Sequence, residues 1–189
     1  MGRWQPDSRG RLQEAALVLF SERGFDQTTA AEIAARAGVT ERTFFRHFAD
    51  KREVLFSGSA PLRERIVAGV AGAPPTDGPL DAVSRGLDAA AAMLGEFRRD
   101  LSRQRQAVIA ANPDLREREL TKLADYAAAV ADTLRQRGVG EPQATLAADA
   151  GMTVLRVAVA EWASGDDGRD LAVIMRDSVA EFRSVATGG

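Results

Sequence analysis

The chain has 189 residues, of which 45% are hydrophobic and 28% are charged, and its formal net charge of −2 argues against a protein that coats polyanions along its whole length. It has no cysteine and one histidine, which excludes disulfides, thiolate metal sites and a zinc centre, so we expect no metal and no cofactor. The first thirty residues lack a signal-peptide pattern, and Arg156 and Glu161 interrupt the most apolar stretch, so we expect a cytoplasmic protein without a membrane partner.

The first predicted helix covers residues 9–23. Asp7 or Ser8 is available as its N-cap, and Gly24 follows as its terminator. Apolar residues recur at helical spacing along it, namely Leu12, Ala15, Ala16, Leu19 and Phe20.

Two short helices are predicted next, over residues 29–37 and 40–48. Thr29 and Glu32 fit a capping box at the start of the first, which ends at Gly38. Thr40 can cap the second, and Phe44 and Phe48 lie one turn apart on its inner face. We expect both phenylalanines in the core of a small three-helix unit.

A fourth helix is expected to begin at residues 50–53, where an Asp and a Glu form another capping-box pattern, and to run to Val70 with a possible kink at Gly58 or Pro61. Residues 72–79 hold three prolines and two glycines, which predicts a linker. We therefore predict one domain over residues 8–56 and a second over residues 57–187.

The rest of the chain predicts amphipathic helices over residues 80–111, with a break near Gly95, and over residues 114–137, 142–163 and 169–185. No alternating pattern typical of strands competes with them. The predicted fold class is all-α: an N-terminal three-helix domain containing a helix-turn-helix, followed by a second helical domain.

Residues 40–52 are locally basic, with Arg42, Arg46, Lys51 and Arg52 against two acidic residues. Two short helices joined by a glycine-containing turn form the helix-turn-helix layout, whose second helix enters the major groove of DNA. Helical hairpins with a glycine in the turn are also common in proteins that do not bind DNA. The spacing alone therefore leaves both interpretations open.

The segment of residues 12–55 resembles the TetR family of regulators throughout. The matching residues are Ala15-Ala16, Leu19-Phe20, Gly24-Phe25, Thr28-Thr29, Ile33-Ala34, Ala37-Gly38-Val39-Thr40, Thr43-Phe44-Phe45-Arg46-His47-Phe48 and Lys51. The resemblance implies a homodimeric regulator of transcription, with a double-stranded DNA operator as its partner. It also implies that the second helical domain is a ligand-binding and dimerisation domain.

The resemblance also assigns roles to single residues. It implies contacts with DNA phosphates for Thr29, Thr40, Phe45, His47 and Lys51, and contacts with bases for Glu41, Arg42, Thr43 and Arg46. This chain departs from the family at Phe45, where tyrosine is usual, which leaves apolar contact with a thymine methyl or plain packing. It also departs at Arg42, where glycine is frequent, and this adds a side chain that can read guanine.

We predict a repressor that a small hydrophobic ligand releases from a palindromic operator. The alternative is a helical protein-interaction module that keeps the helix-turn-helix as a scaffold. The sequence shows no nucleophile paired with a general base, no paired carboxylates and no metal site. It therefore does not point to an enzyme. The predicted ligand pocket comprises Met93, Phe97, Ile109, Tyr126 and Met152, and the predicted dimer interface comprises Leu155, Val159, Trp162, Ile174, Met175 and Phe182.

Overall fold

The computed structural model describes residues 7–188, and this part of the chain contains nine helices and no strand. The predicted all-α fold is thereby confirmed, including the break near Gly95. The helices are α1 (Ser8–Arg23), α2 (Ala30–Arg36), α3 (Glu41–His47), α4 (Ser59–Ala71), α5 (Pro79–Gly95), α6 (Arg99–Ala111), α7 (Pro113–Gln136), α8 (Gln143–Ser164) and α9 (Leu171–Thr187).

The helices form two compact units that differ from the predicted domains. The N-terminal unit comprises the described residues up to Gly58 together with Gln104–Glu117. The C-terminal unit comprises Ser59–Arg103 and the chain from Arg118 onward. Helices α6 and α7 therefore each contribute residues to both units, which a division at residue 56 does not capture.

The start of the predicted fourth helix is wrong. Residues 51–58 form turns, and α4 begins only at Ser59. The amides of Leu55 and Phe56 donate to carbonyls three residues back, at 3.0 and 3.2 Å, rather than four. The Nε of Arg105 donates to the Leu55 carbonyl at 2.8 Å. A side chain therefore takes the place of the backbone amide that would bond to this carbonyl in a helix.

Residues 72–79 do not link the two units, which corrects the predicted linker. They join α4 to α5 inside the C-terminal unit, where both helices pack together. The guanidinium of Arg137 donates to the carbonyls of Ala71, Ala73 and Pro74 at 3.2, 2.7 and 2.8 Å. This segment is thus a pinned turn between packed helices.

The α4–α5 contact depends on glycine. A Cβ placed on Gly86 would lie 2.8 Å from the Ile66 carbonyl oxygen, and one on Gly69 would lie 2.8 Å from the Cα of Gly86. Real side chains do not approach backbone this closely, so the pair lets the two helices meet backbone to backbone.

The C-terminal unit has one hydrophobic core, formed by α4, α5, α7, α8 and α9. Four residues predicted for the dimer interface are buried inside it: Leu155, Trp162, Ile174 and Met175. Val159 and Phe182 are half-buried against the same core. The four buried residues are therefore core of a single chain, because the apolar stripes of α8 and α9 pack on α5 and on each other. A role of Val159 and Phe182 in the dimer interface stays a prediction.

The predicted ligand pocket is not assembled as expected. Tyr126 and Met152 are buried in the C-terminal core, and the Tyr126 hydroxyl donates to the Ser59 carbonyl at 2.9 Å. Ile109 is buried in the other unit. Met93 is half-buried, and Phe97 lines a cavity of the C-terminal unit.

Two kinds of site are not found in residues 7–188. No helix there is long and apolar enough to cross a membrane. No group of three or more histidine or acidic side chains there is placed to hold a metal ion.

Candidate nucleic-acid interface

Helices α2 and α3 are joined by a turn that requires glycine. Gly38 has a φ of +68°, in the left-handed region that side chains with a Cβ rarely adopt. Its amide donates to the Ala35 carbonyl at 3.1 Å, and the next amide, of Val39, donates to the Ala34 carbonyl at 3.0 Å. These bonds fix the angle at which α3 leaves α2.

The inner face of α3 is formed by Phe44 and Phe48, which are 0% and 3% exposed. Their rings lie 5.5 Å apart, and α2 contributes buried Ile33 and Ala34 to the same unit. The prediction that both phenylalanines are core is confirmed. Because this face is buried, the opposite face of α3 must point to solvent.

The outward face carries three of the four predicted base-reading residues. Glu41, Arg42 and Arg46 are exposed, and within residues 7–188 neither arginine has a hydrogen bond or an ion pair. Thr43 is half-buried, and its amide and hydroxyl both bond to the Thr40 hydroxyl, at 3.2 and 3.0 Å. Thr43 therefore serves the N-cap of α3 in this conformation.

Thr29 caps α2 with a complete capping box, as predicted. Its amide and its hydroxyl donate to Glu32 Oε2, each at 2.9 Å, and the Glu32 amide donates back to Thr29 Oγ1 at 3.2 Å. Both Thr29 donors are thus already used. A phosphate contact from this residue stays a prediction, and it would need one of these bonds to yield.

The Glu32 carboxylate of this box stays ionised. The backbone and side-chain hydrogen bonds from Thr29 lower the pKa of Glu32, and the charge of Arg23 lowers it further. A depressed carboxyl pKa contributes stability that is present above the unfolded pKa and is lost as pH falls through the folded value. We therefore expect this contribution to be present at neutral pH and to be lost as the pH falls through the folded pKa of Glu32.

His47, at the end of α3, contacts the start of α1. Its Nε2 lies 2.8 Å from Ser8 Oγ, and either atom can donate depending on the imidazole tautomer. The contact fixes the orientation of the ring at the outer end of α3. A bond from His47 to a DNA phosphate stays a prediction.

Phe45 is the exposed aromatic of α3. It is 52% exposed, and its ring meets Phe44 edge-on at 5.3 Å between centroids. Of the two interpretations left open by the sequence, burial in the core is the one that this geometry disfavours. An apolar side chain held on the outer face is suited to contact a thymine methyl.

Lys51 is bonded to the loop before α2. Its ammonium donates to the carbonyls of Phe25, Asp26 and Thr28 at 2.8, 3.3 and 3.1 Å, and it lies 4.3 Å from the Phe25 ring centroid. An ammonium has three donors, so all of them face the loop before α2. Lys51 therefore secures that loop. A contact from Lys51 to a DNA phosphate stays a prediction, and it would need one of these bonds to yield.

Replacing Lys51 with methionine is expected to lower stability by about 1–3 kcal/mol, because three hydrogen bonds from a charged donor are lost. Operator affinity should fall as the start of α2 loosens, but its dependence on salt should not change. A true phosphate contact would instead reduce the slope of log affinity against log salt by about 1 per protomer. Denaturant unfolding and operator titrations at several salt concentrations distinguish the two; a reduced slope at unchanged stability would support the phosphate role.

Sequence reasoning missed the contacts that come from distant parts of the chain. Ser8 meets His47 across 39 positions, and Arg105 holds Leu55 and lies over the Phe56 ring from 50 positions away. No local pattern marks either partner. Only the packing of α1 against the end of α3, and of α6 against the turns that follow, brings them together.

Two family models match this chain. The one described as "Bacterial regulatory proteins, tetR family" matches residues 12–57. The one described as "MftR C-terminal domain" matches residues 77–187, which is more than half of the chain.

Curated relatives match over part of the chain. The transcriptional regulator TcmR of Streptomyces glaucescens is 38% identical over 91 residues, which is 48% of this chain and 39% of TcmR. The transcriptional repressor KstR2 of Mycobacterium tuberculosis is 43% identical over 47 residues, which is 25% of this chain and 24% of KstR2. The matched segments thus span well under two thirds of these relatives.

Solved structures extend the likeness to the whole fold. Thermus thermophilus FadR, solved with lauroyl-CoA, is 27% identical with a TM-score of 0.54, and the match covers 93% of each chain. Bacillus subtilis FadR, solved with stearoyl-CoA, is 19% identical with a TM-score of 0.64, covering 92% of this chain and 96% of that one. With family models matching both its N-terminal and its C-terminal part, this chain belongs to the TetR family of bacterial regulatory proteins.

Proposed function

We propose that the chain is a repressor of transcription that binds a palindromic operator as a homodimer and leaves it when a small hydrophobic ligand binds. The observation that carries this proposal is the outward face of α3. Arg42 and Arg46 are exposed there without a protein partner in the described residues, while Phe44 on the other face is buried. Packing of the unit requires the buried phenylalanine but does not require the exposed arginines. Reading of DNA requires the phenylalanine and the arginines together. Such a repressor acts in the cytoplasm.

In the proposed complex α3 lies in the major groove and α2 crosses the DNA backbone. The guanidinium groups of Arg42 and Arg46 can each donate two hydrogen bonds to O6 and N7 of a guanine, and Glu41 can accept from a cytosine amine. Thr43 contributes its half-buried hydroxyl at the base edges. Phosphate contacts are assigned to Thr29, Thr40 and His47, and Phe45 packs against a thymine methyl.

A second copy of the chain is needed because one helix-turn-helix covers too few base pairs for useful specificity. The outer faces of α8 and α9 suit this contact better than the buried residues first predicted. Leu146 and Val157 on α8 are 64% and 44% exposed, and Val173 on α9 is 39% exposed. Leu146 and Val157 share one stripe of α8, and the residues between them on it, Ala150 and Thr153, are small and allow close approach.

A glutamate at Val157 is expected to break the dimer. Near a two-fold axis each copy would bury an unpaired charge against the other, so we expect dimerisation to weaken by at least about 100-fold. Sedimentation equilibrium measures this directly, and operator affinity should fall in parallel. The matched control is Leu120→Glu on α7, which is also exposed. A V157E protein that remains as dimeric as the control would exclude this face as the interface.

Relatives support a ligand with an apolar part. Thermus thermophilus FadR, 27% identical over nearly the whole chain, was solved with lauroyl-CoA. For the present chain we propose only that the effector is partly apolar and binds in the C-terminal unit. To lower operator affinity a hundred-fold, it must prefer the form that does not bind DNA by about 2.8 kcal/mol.

Selection of bound sequences from random DNA duplexes tests the proposal. The expected result is a palindrome whose half-sites are centred about 34–36 Å apart or further. If no sequence is enriched and binding is weak and sensitive to salt, the helix-turn-helix is a scaffold, and the alternative of a protein-interaction module replaces the repressor.

A further inference from the structure

Two loops of the C-terminal unit border a cavity of about 350 Å³. One loop joins α5 to α6, and the other joins α8 to α9. The cavity is partly open to solvent and reaches the size range of small-molecule sites. Its walls are Gly95, Phe97, Arg99, Trp162, Gly168, Arg169, Asp170 and Leu171.

Arg99, the first residue of α6, carries an incompletely paired charge. Its Nη2 donates to the Arg169 carbonyl at 2.7 Å, but the same Nη2 lies 3.9 Å from Asp167 Oδ1, which is too long for a hydrogen bond. Its Nε is buried and has no hydrogen-bond partner in the described residues. Its guanidinium lies 5.4 Å from the Trp162 ring centroid, which favours a cation but leaves hydrogen-bonding capacity unused.

The neighbouring charged groups are already engaged. Arg103, one turn later on α6, donates to Asp166 at 2.7 Å and to the Ala163 carbonyl at 2.8 Å. Arg169 pairs with Glu161 at 3.1 Å and with Asp177. Asp170 accepts from the Ala172 amide at the start of α9, at 2.7 Å. Of the charged side chains in the wall, Arg99 is therefore the one with capacity to receive an anion.

The cavity also offers aromatic surface. Phe97 is 52% exposed, and the edge of the largely buried Trp162 lines the same space. An exposed phenylalanine beside an under-paired arginine matches a ligand with one anionic and one apolar end.

We infer that this cavity binds a small carboxylate with a flat apolar body. The carboxylate accepts hydrogen bonds from the Arg99 guanidinium, and the apolar body packs against Phe97 and Trp162. The binding site stands on these contacts alone, and only its role as the effector site rests on the proposed function.

The cavity lies at the N-terminal end of α6, and a later part of α6 contacts the segment after α3. Helix α6 begins at Arg99, and two turns later its Arg105 donates to the Leu55 carbonyl and lies 5.3 Å from the Phe56 ring centroid.

Calorimetric titration of the full chain with 2-naphthoate, and with its neutral amide 2-naphthamide, tests the site. We expect naphthoate to bind at least about ten-fold more tightly than the amide, because a hydrogen bond between charged groups is lost in the amide. Arg99→Gln should remove that preference. Phe97→Ala, at an exposed position that tolerates truncation, should weaken both ligands about ten-fold.

The matched control is Arg98→Gln, because the exposed side chain of Arg98 pairs with Asp100 and does not line the cavity. Naphthoate binding that is undetectable at millimolar concentration, or that is unaffected by both Arg99→Gln and Phe97→Ala, would overturn the site. Operator binding is measured on the same wild-type preparation. If the operator binds but naphthoate does not, the inference fails and the repressor stands; if the operator fails to bind, the proposed function fails by itself.

Discussion

Replacing both Arg42 and Arg46 with alanine is expected to remove the preference for the operator over unrelated DNA. Each lost pair of hydrogen bonds to a guanine costs about 1–3 kcal/mol of discrimination, so the double variant should lose a factor of about 100 or more. The weak, salt-dependent affinity for any duplex should change far less, because phosphate contacts supply it. Competition titrations of operator against random duplex measure both quantities.

The control for this experiment removes the same charge elsewhere. Arg63 and Arg65 lie exposed on α4, so R63A with R65A changes the net charge equally without touching α3. If the control loses as much discrimination as the α3 variant, the effect is one of overall charge, and α3 does not read bases.

Truncating Phe44 to alanine is expected to destabilise the N-terminal unit by about 3–5 kcal/mol, the usual cost of removing a buried aromatic ring. Phe44 is fully buried and contacts two further rings, those of Phe45 and Phe48. This loss is a large part of the free energy of unfolding of a small unit. Denaturant unfolding followed by circular dichroism measures it.

Phe45→Ala is the matched control, since it makes the same change one residue along the same helix. Because Phe45 is 52% exposed, its truncation should cost much less stability while still weakening DNA binding. Equal stability losses in the two variants would mean that the inner and outer faces of α3 are wrongly assigned.

The sequence predicted the helix-turn-helix well because its signals are local. Thr29 and Glu32, Thr40, and Gly38 each act within three or four residues of their own position, and the structure shows all of them in the expected roles. Of the two residues predicted as the N-cap of α1, Asp7 is confirmed, because its carboxylate accepts from the Gly10 amide at 2.8 Å.

The failures arose where distant residues decide the outcome. Asp50 accepts from the amides of Arg52 and Glu53, as a helix cap does, but no helix follows directly. The conformation of residues 51–58 is instead set by the hydrogen bond from Arg105 and by packing in the core. Apolar stripes on α8 and α9 do not by themselves indicate whether they face the same chain or a second one. Lys51 similarly reads as a free cation until the loop carbonyls around it are known.

The most direct test of α3 as the element that reads bases is a double-mutant cycle. It combines a change of one base in the operator with a change of one side chain on α3. In the selected operator, 7-deazaguanine replaces each guanine in turn, which removes the N7 acceptor and little else. We predict that at one guanine per half-site for each of the two arginines this change weakens binding of the wild-type protein about ten-fold or more. The alanine variant of the arginine that contacts that guanine, Arg42→Ala or Arg46→Ala, should bind both operators equally. Losses that add independently at every guanine, or no loss at any, would contradict the reading of DNA by α3.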